Sequence, residues 1–140
     1  MGRRPESGRD RLIPVRYLLD TTLIIDHAHG HAPAMRLLQR LYEEGAELFT
    51  CDVVVCEALS GGTLEHRWVI SRLLAPLDFV ATDPDAARAA GAARRERHRA
   101  GGKLGLGDAL IAAVARRIDA TIVTRNRPDF ERQGASVLAY

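Results

Sequence analysis

Short apolar stretches alternate along this chain with segments whose apolar residues recur at helical spacing. The stretches predict five strands, over 15–20, 47–50, 79–82, 120–124 and 136–140. Between them, leucine, isoleucine or alanine returns every three or four positions, which is the period of a helix with one buried face. Strands that alternate with helices predict an α/β fold in three layers, α/β/α, with a central, mainly parallel and twisted sheet.

Polar residues next to the apolar segments predict where the helices begin. Thr21 or Thr22 is expected to cap the first helix, and Asp52 a helix that follows the second strand. The dipeptide Asp83-Pro84 predicts a strong helix start, because proline suits the first helical turn. Residues 125–133 are predicted to form a turn between the last two strands.

Length and composition narrow the class of protein. The 140 residues fit one domain, predicted at 15–140, after a flexible leader at 1–14 that is rich in glycine, proline and charge. A hydrophobic fraction of 46% with 27% charged residues is typical of a globular protein. No apolar run reaches the roughly 18 residues of a membrane span, and no signal-peptide pattern is present. A cytoplasmic location without membrane contact is therefore predicted.

The most informative polar residues stand where predicted strands end or helices begin. Asp20 closes the first strand, Asp108 opens a helix after a glycine-rich turn, and Asp129 follows the fourth strand. Glu57 follows three valines and a cysteine, where a solvated glutamate is unexpected. The carboxyl ends of parallel strands share one edge of the sheet, where active sites of such folds form. We therefore expect these acids to lie together.

Clustered carboxylates need a proton or a cation. At about 5 Å and an effective dielectric constant near 20, each pair would repel by about 3 kcal/mol. Mg²⁺ and Mn²⁺ prefer oxygen ligands, and a metal held there can activate water for attack on a phosphodiester. Thr21, Thr124 and Asn126 are neutral side chains suited to orienting that water or a phosphate oxygen.

Each acid also has a simpler interpretation. Asp20 could serve only as a helix cap, Asp108 only as a first-turn acid that complements the helix dipole, and Asp129 only as a turn residue. The histidine-rich turn at 27–31 is expected to be solvated rather than a zinc site, since no cysteine or other ligand is fixed nearby. Glu57 is the acid that these interpretations explain least.

Basic residues are concentrated locally, although the formal net charge is only +2. In the segment 87–103, helical spacing aligns Arg88, Arg95 and Arg99. These arginines form either an ordinary solvated face or a stripe that attracts the RNA phosphates which an acidic cluster repels.

Four segments carry the residues of interest in a fixed order: Leu19–Asp26, Glu57–Leu59, Gly107–Ala113 and Val123–Phe130. Together they resemble a PIN domain, and specifically the VapC-type toxins of bacterial toxin–antitoxin pairs. The resemblance covers nearly all of 15–140. It implies an endoribonuclease that depends on Mg²⁺ or Mn²⁺, forms a homodimer and is neutralised by a cognate antitoxin.

By position, the resemblance makes Asp20, Glu57 and Asp108 the first three acids of the family's catalytic set. Asp20 and Asp108 are then the direct metal ligands, and Glu57 supports the metal or the water. The fourth position falls on Asn126 or Asp129. Asp129 can supply negative charge, whereas Asn126 can only orient.

Two other functions are compatible with these residues. A catalytically silent PIN-like module would bind RNA or protein without turnover. A phospho-receiver domain would share the strand-end aspartates, but it uses a lysine at the end of its last strands, and the one lysine of this chain, Lys103, lies in a glycine-rich turn. The leading prediction is hydrolysis of RNA that leaves a 5′-phosphate and a 3′-hydroxyl.

Overall fold

The computed structural model describes residues 13–140, and its centre is a five-stranded sheet. The strands are β1 (Arg16–Leu19), β2 (Glu47–Cys51), β3 (Asp78–Val80), β4 (Thr121–Thr124) and β5 (Val137–Ala139). Every pairing between them is parallel. The predicted three-layer α/β/α architecture is confirmed. The greater part of the predicted leader, residues 1–12, lies outside the described residues.

Seven helices connect the strands within the described residues. They are α1 (Thr21–Ala28), α2 (Ala32–Glu43), α3 (Asp52–Leu59), α4 (Leu64–Leu74), α5 (Pro84–Arg99), α6 (Leu106–Arg117) and α7 (Arg127–Glu131). The start of α5 agrees with prediction, because the Asp83 side chain accepts a hydrogen bond from the amide of Ala86. Helix α7 lies in the stretch that was predicted to be only a turn, and a proline in its first turn suits a helix start.

Two predicted helix caps are wrong. Asp20, rather than Thr21 or Thr22, occupies the N-cap position of α1, and its side chain makes no capping hydrogen bond. Asp52 is the first residue of α3 rather than its cap. Its carboxylate instead accepts hydrogen bonds from the amide and the hydroxyl of Thr82, the latter at 2.8 Å. The Asp52 carboxylate thus connects α3 to the segment that follows β3.

The core is formed around the two central strands. Leu18, Leu19, Ile122 and Val123 have no exposed surface, because helices cover both faces of β1 and β4. Phe130 of α7 is also fully buried and fixes this short helix against the core. Among residues 13–140, no helix is both long and apolar enough to cross a bilayer.

The strand order is β3-β2-β1-β4-β5, so the chain changes direction across the sheet next to β1. It first moves outward through β2 and β3, and then returns past β1 to β4 and β5. In open parallel sheets, ligands bind outside the carboxyl ends of the strands at such a switch point. A receiver domain has the order 2-1-3-4-5, so that alternative is wrong. The switch point lies between the residues that end β1 and β4.

Candidate active site

Asp20 lies at this switch point, directly after β1, with only 3% of its surface exposed. The Thr124 hydroxyl, at the end of β4, donates a 2.7 Å hydrogen bond to its Oδ2. The Thr22 hydroxyl, from α1, donates to the same oxygen at 3.1 Å. The Asp20 amide donates to the carbonyl of Val123 at 2.9 Å. Backbone and side chain of Asp20 are thus both held by β4, and the interpretation of Asp20 as only a cap is wrong.

The surroundings of Asp20 favour a neutral or cation-bound carboxyl group. Burial raises the pKa of Asp20 above its usual value. Hydrogen bonds, of which that from Thr124 has the largest effect, oppose this increase, while the negative charge of Glu57 adds to it. A buried charge without a partner is costly, so this carboxylate is best stabilised by a proton or a cation.

Glu57 joins three helices at the mouth of the site. It lies on α3 and is exposed, and its Oε1 accepts a 2.6 Å hydrogen bond from the hydroxyl of Thr21 on α1. Its Oε2 lies so close to Gly107 of α6 that a Cβ added there would overlap it. Gly107 therefore leaves the space that the Glu57 carboxylate occupies, and Thr21 fixes its direction.

Asp108 lies in the first turn of α6 and is partly buried. Its pKa is raised to about 6, first by burial. The negative charges of Asp20, Asp129 and Glu57 raise it further, in that order. The four predicted acids are therefore close enough to affect one another electrostatically, and Asp108 is the one that experiences the charge of all the others.

Asn126 and Asp129, the two candidates for the last predicted position, are joined by a hydrogen bond. Asn126 Nδ2 donates a 2.6 Å hydrogen bond to Asp129 Oδ2, and the Asn126 amide donates to the Thr124 hydroxyl oxygen at 2.8 Å. The guanidinium of Arg132 lies 3.4 Å from the other oxygen of Asp129. Asp129 thus contributes the charge that reaches Asp108, and Asn126 holds Asp129 against the end of β4.

Among the described residues, three of the four acids of the candidate site have no basic side chain beside them. Within residues 13–140, no arginine or lysine lies within salt-bridge distance of Asp20, Glu57 or Asp108. Nor do any three histidine, cysteine or acidic side chains of the described chain form a ready-made ligand set. The carboxylates of Asp20, Glu57 and Asp108 are thus not neutralised by a basic side chain of the described chain and remain available to a cation.

The sequence analysis missed three supporting residues. Asp26 of α1 accepts hydrogen bonds from the Tyr140 hydroxyl at 2.7 Å and from Arg125 at 3.3 Å, which ties α1 to the ends of β4 and β5. Burial, followed by the hydrogen bond to Asp26, raises the pKa of Tyr140. The available signal was Asp26 itself, an acid that directly follows an apolar Leu-Ile-Ile run.

The comparisons with known proteins agree with this geometry. The family model described as "PIN domain" matches residues 17–135. Ribonuclease VapC19 of Mycobacterium tuberculosis is 29% identical over 109 residues, which are 78% of this chain and 87% of that protein. Two solved structures share the fold. VapBC2 of Rickettsia felis, bound to a promoter DNA fragment, has a TM-score of 0.77 at 21% identity and covers 90% of this chain and 99% of its own. DNA-bound VapBC of Salmonella typhimurium has a TM-score of 0.77 at 23% identity, with coverage of 89% and 98%. This chain belongs to the PIN-domain family.

Proposed function

We propose that this protein is a VapC-type endoribonuclease toxin that depends on a divalent metal. The observation that carries the proposal is the convergence of three acids, Asp20, Asp129 and Glu57, on Asp108, whose pKa is raised to about 6 by burial and then by their charges. Membership in the PIN-domain family and the similarity to Ribonuclease VapC19 support RNA as the substrate. The catalytic set comprises Asp20, Glu57, Asp108 and Asp129.

Asp20 and Asp108 would hold Mg²⁺ or Mn²⁺, with Glu57 beside them. When bound, such an ion stabilises charge on the phosphate and lowers the pKa of a coordinated water. The protein's own contribution is to fix the carboxylates. Thr124 orients Asp20, and Thr21 orients Glu57, which can then accept a proton from the attacking water.

Hydrolysis adds water across the bond between phosphorus and the 3′ oxygen of the RNA. The water oxygen becomes part of a 5′-phosphate, and the leaving oxygen takes a proton to become a 3′-hydroxyl. With a pKa of about 6, Asp108 is largely ionised near neutral pH and largely protonated below pH 6, where the proton competes with a cation for the carboxylate. Cleavage should therefore increase as the pH rises through about 6.

The function is tested with purified protein and labelled RNA, in Mg²⁺ and in EDTA. We expect cleavage only with metal, and loss of at least about a hundredfold in Asp20→Asn and in Asp108→Asn, since each removes one proposed metal ligand. Asp85→Asn is the matched control, because its side chain is 90% exposed on α5. Cleavage that survives chelation and both substitutions would exclude the proposal. Metal binding without cleavage of any RNA would favour a catalytically silent module.

The fourth position has its own test. Asp129→Asn removes a charge that raises the pKa of Asp108, so the pH profile of cleavage should shift to lower pH. Asn126→Ala keeps the charge but removes the 2.6 Å hydrogen bond that positions it, so activity should fall with a smaller change in the pH profile. Equal shifts in both variants would contradict this division of roles.

We also propose a cognate antitoxin and a second copy of the chain as partners, in the cytoplasm where the RNA substrate is found. The solved relatives named above are VapBC complexes, which supports an antitoxin. Large exposed apolar side chains on α2 and α4, namely Met35, Tyr42, Leu64 and Trp68, offer surface for a protein partner. Light scattering of the purified chain, alone and mixed with the product of a neighbouring small gene, measures both associations. A chain that stays monomeric in both samples would contradict them.

A further inference from the structure

A basic cleft lies outside the acidic cluster, between the C-terminal end of α5 and the start of α6. Its volume is about 530 Å³. Arg94, Arg95, His98 and Lys103 line it together with Leu104 and neighbouring glycines, and the apolar parts of these side chains form most of its wall. The proposed catalytic roles use none of these residues. We therefore asked what this concentration of positive charge is positioned to bind.

A glycine turn creates the cleft by returning the chain onto α5. Gly101 adopts φ = +86°, and the amides of Gly101 and Gly102 donate to the carbonyls of His98 and Arg97 at 3.0 and 2.9 Å. This is the Schellman arrangement that ends a helix. A Cβ on Gly102 would collide with the Arg97 side chain, so the turn packs tightly. As a result, Lys103 faces the last turns of α5 instead of continuing away from them.

The cations of the cleft are not neutralised by acids. Within residues 13–140, no carboxylate lies within salt-bridge distance of Arg95 or Lys103, and Arg94 donates to a main-chain carbonyl of the turn at 3.0 Å. By contrast, Arg88 and Arg99 are each paired with an acid three residues earlier, at 3.6 and 2.9 Å. The stripe considered from the sequence is therefore divided, and only its middle arginine lines the cleft.

The cleft is also close to the proposed catalytic acids. Gly105 is the N-cap residue of α6, and Asp108 follows three residues later. At about 1.5 Å of rise per residue, this separation is roughly 4.5 Å along the helix axis. The Gly105 edge of the cleft is therefore next to Asp108, so a nucleic-acid strand with one phosphate at Asp108 can continue into the cleft.

We infer that the basic cleft binds a phosphate of the RNA strand next to the phosphodiester that is cut. This assignment rests on the proposed function, because it takes RNA as the substrate. Positive charge at this distance offsets the repulsion between the acidic cluster and the RNA backbone. The cleft therefore contributes to affinity and to the register of the strand, and Arg95 and Lys103 are positioning residues rather than catalytic ones.

The test measures binding without cleavage. A fluorescent single-stranded RNA of about 16 nucleotides, the upper end of common single-strand site sizes, is titrated with the full chain in EDTA. Arg95→Gln/Lys103→Gln is compared with the control Arg88→Gln/Arg99→Gln, which removes the same net charge from α5 but leaves the cations of the cleft in place. Each phosphate contact contributes about 0.7 to the slope of log K against log salt for single strands. Because the cleft is assigned one phosphate, we expect the cleft variant to lose about 0.7 of slope and about tenfold in affinity, and the control variant clearly less.

Equal losses in the two variants, an unchanged slope in the cleft variant, or no RNA binding by the unsubstituted chain would each overturn the inference. Unchanged RNA binding with loss of antitoxin binding would assign the cleft to a protein and would also overturn it. The cleavage assay in Mg²⁺ separates this result from the proposed function. Binding that depends on the cleft without any cleavage rejects the nuclease alone, whereas cleavage that ignores the cleft rejects this assignment alone.

Discussion

Replacing Asp108 with asparagine tests the electrostatics of the acidic cluster without any RNA. The pKa of Asp108 is raised from 3.8 to about 6, first by burial and then by neighbouring acids. Since one pKa unit corresponds to about 1.36 kcal/mol, ionising this group in the folded protein costs up to about 3 kcal/mol. Asp108 is only partly buried, so solvent screening reduces the expected effect to about 1–2 kcal/mol.

The sign of the effect follows from proton linkage. Below about pH 4, Asp108 is protonated in both the folded and the unfolded chain. Between about pH 4 and 6, the unfolded chain releases this proton and the folded chain keeps it, so the free energy of unfolding falls as the pH rises. Asparagine does not titrate. Asp108→Asn should therefore match the unsubstituted protein near pH 4 and exceed its stability by about 1–2 kcal/mol near pH 8.

Urea denaturation in EDTA at the two pH values measures this difference. Asp85→Asn serves as the control, and its stability should change by less than about 0.5 kcal/mol at either pH, since its side chain is solvated. Adding Mg²⁺ should stabilise the unsubstituted protein and not Asp108→Asn, because a ligand stabilises only the state that binds it. A stability difference that is the same at both pH values would refute the electrostatic reasoning.

Three further substitutions test individual contacts. Thr124→Val removes the 2.7 Å hydrogen bond to Asp20. Urea denaturation near pH 8 should therefore show a free energy of unfolding lower by about 1–3 kcal/mol, and an unchanged value would count against that bond. Gly107→Ala adds a Cβ where Glu57 Oε2 lies, so cleavage should fall while thermal stability stays equal or rises by up to about 1 kcal/mol. Phe130→Ala empties a fully buried position, so it should lower the free energy of unfolding by about 3–5 kcal/mol in thermal denaturation. A loss below about 1 kcal/mol would show that α7 is not fixed by the core.

The edge of the sheet at which the acids meet could be predicted from the sequence. A strand that ends in aspartate, in a parallel α/β pattern, has its carboxyl end beside those of its neighbours, and Asp20 lies there. The observed β3 is shorter than the predicted strand 79–82. Its pairing stops at Val80 because the partner residue, Cys51, is the last of β2, and α3 begins at Asp52. Beyond that point the Thr82 amide donates to the Asp52 carboxylate. The local pattern thus predicts the elements, whereas the end of a strand is decided by where its distant partner strand ends.

The partners of the acids could not be predicted, because they are distant in sequence. Thr21 and Glu57 are 36 residues apart, and no periodicity connects them. Asp20 also shows why local rules are insufficient here. At an N-cap position, an aspartate ordinarily satisfies helix amides, yet this one is held by hydroxyl groups and directed into the site. The missing capping hydrogen bond of Asp20 therefore indicates that its carboxylate serves the site rather than the helix.

The hydrogen bond between Asp20 and Thr124 has a consequence for the order in which the protein becomes active. The two residues are 104 positions apart, so a ribosome that adds about 5–20 residues per second needs about 5–20 s to make the second after the first. Until β4 emerges, Asp20 lacks both the Thr124 hydroxyl donor and the strand that holds its backbone. A nascent chain therefore carries an incomplete site throughout most of its synthesis. A nuclease is synthesised next to its own messenger RNA. Late completion of the site therefore delays cleavage of that RNA until the whole fold can assemble.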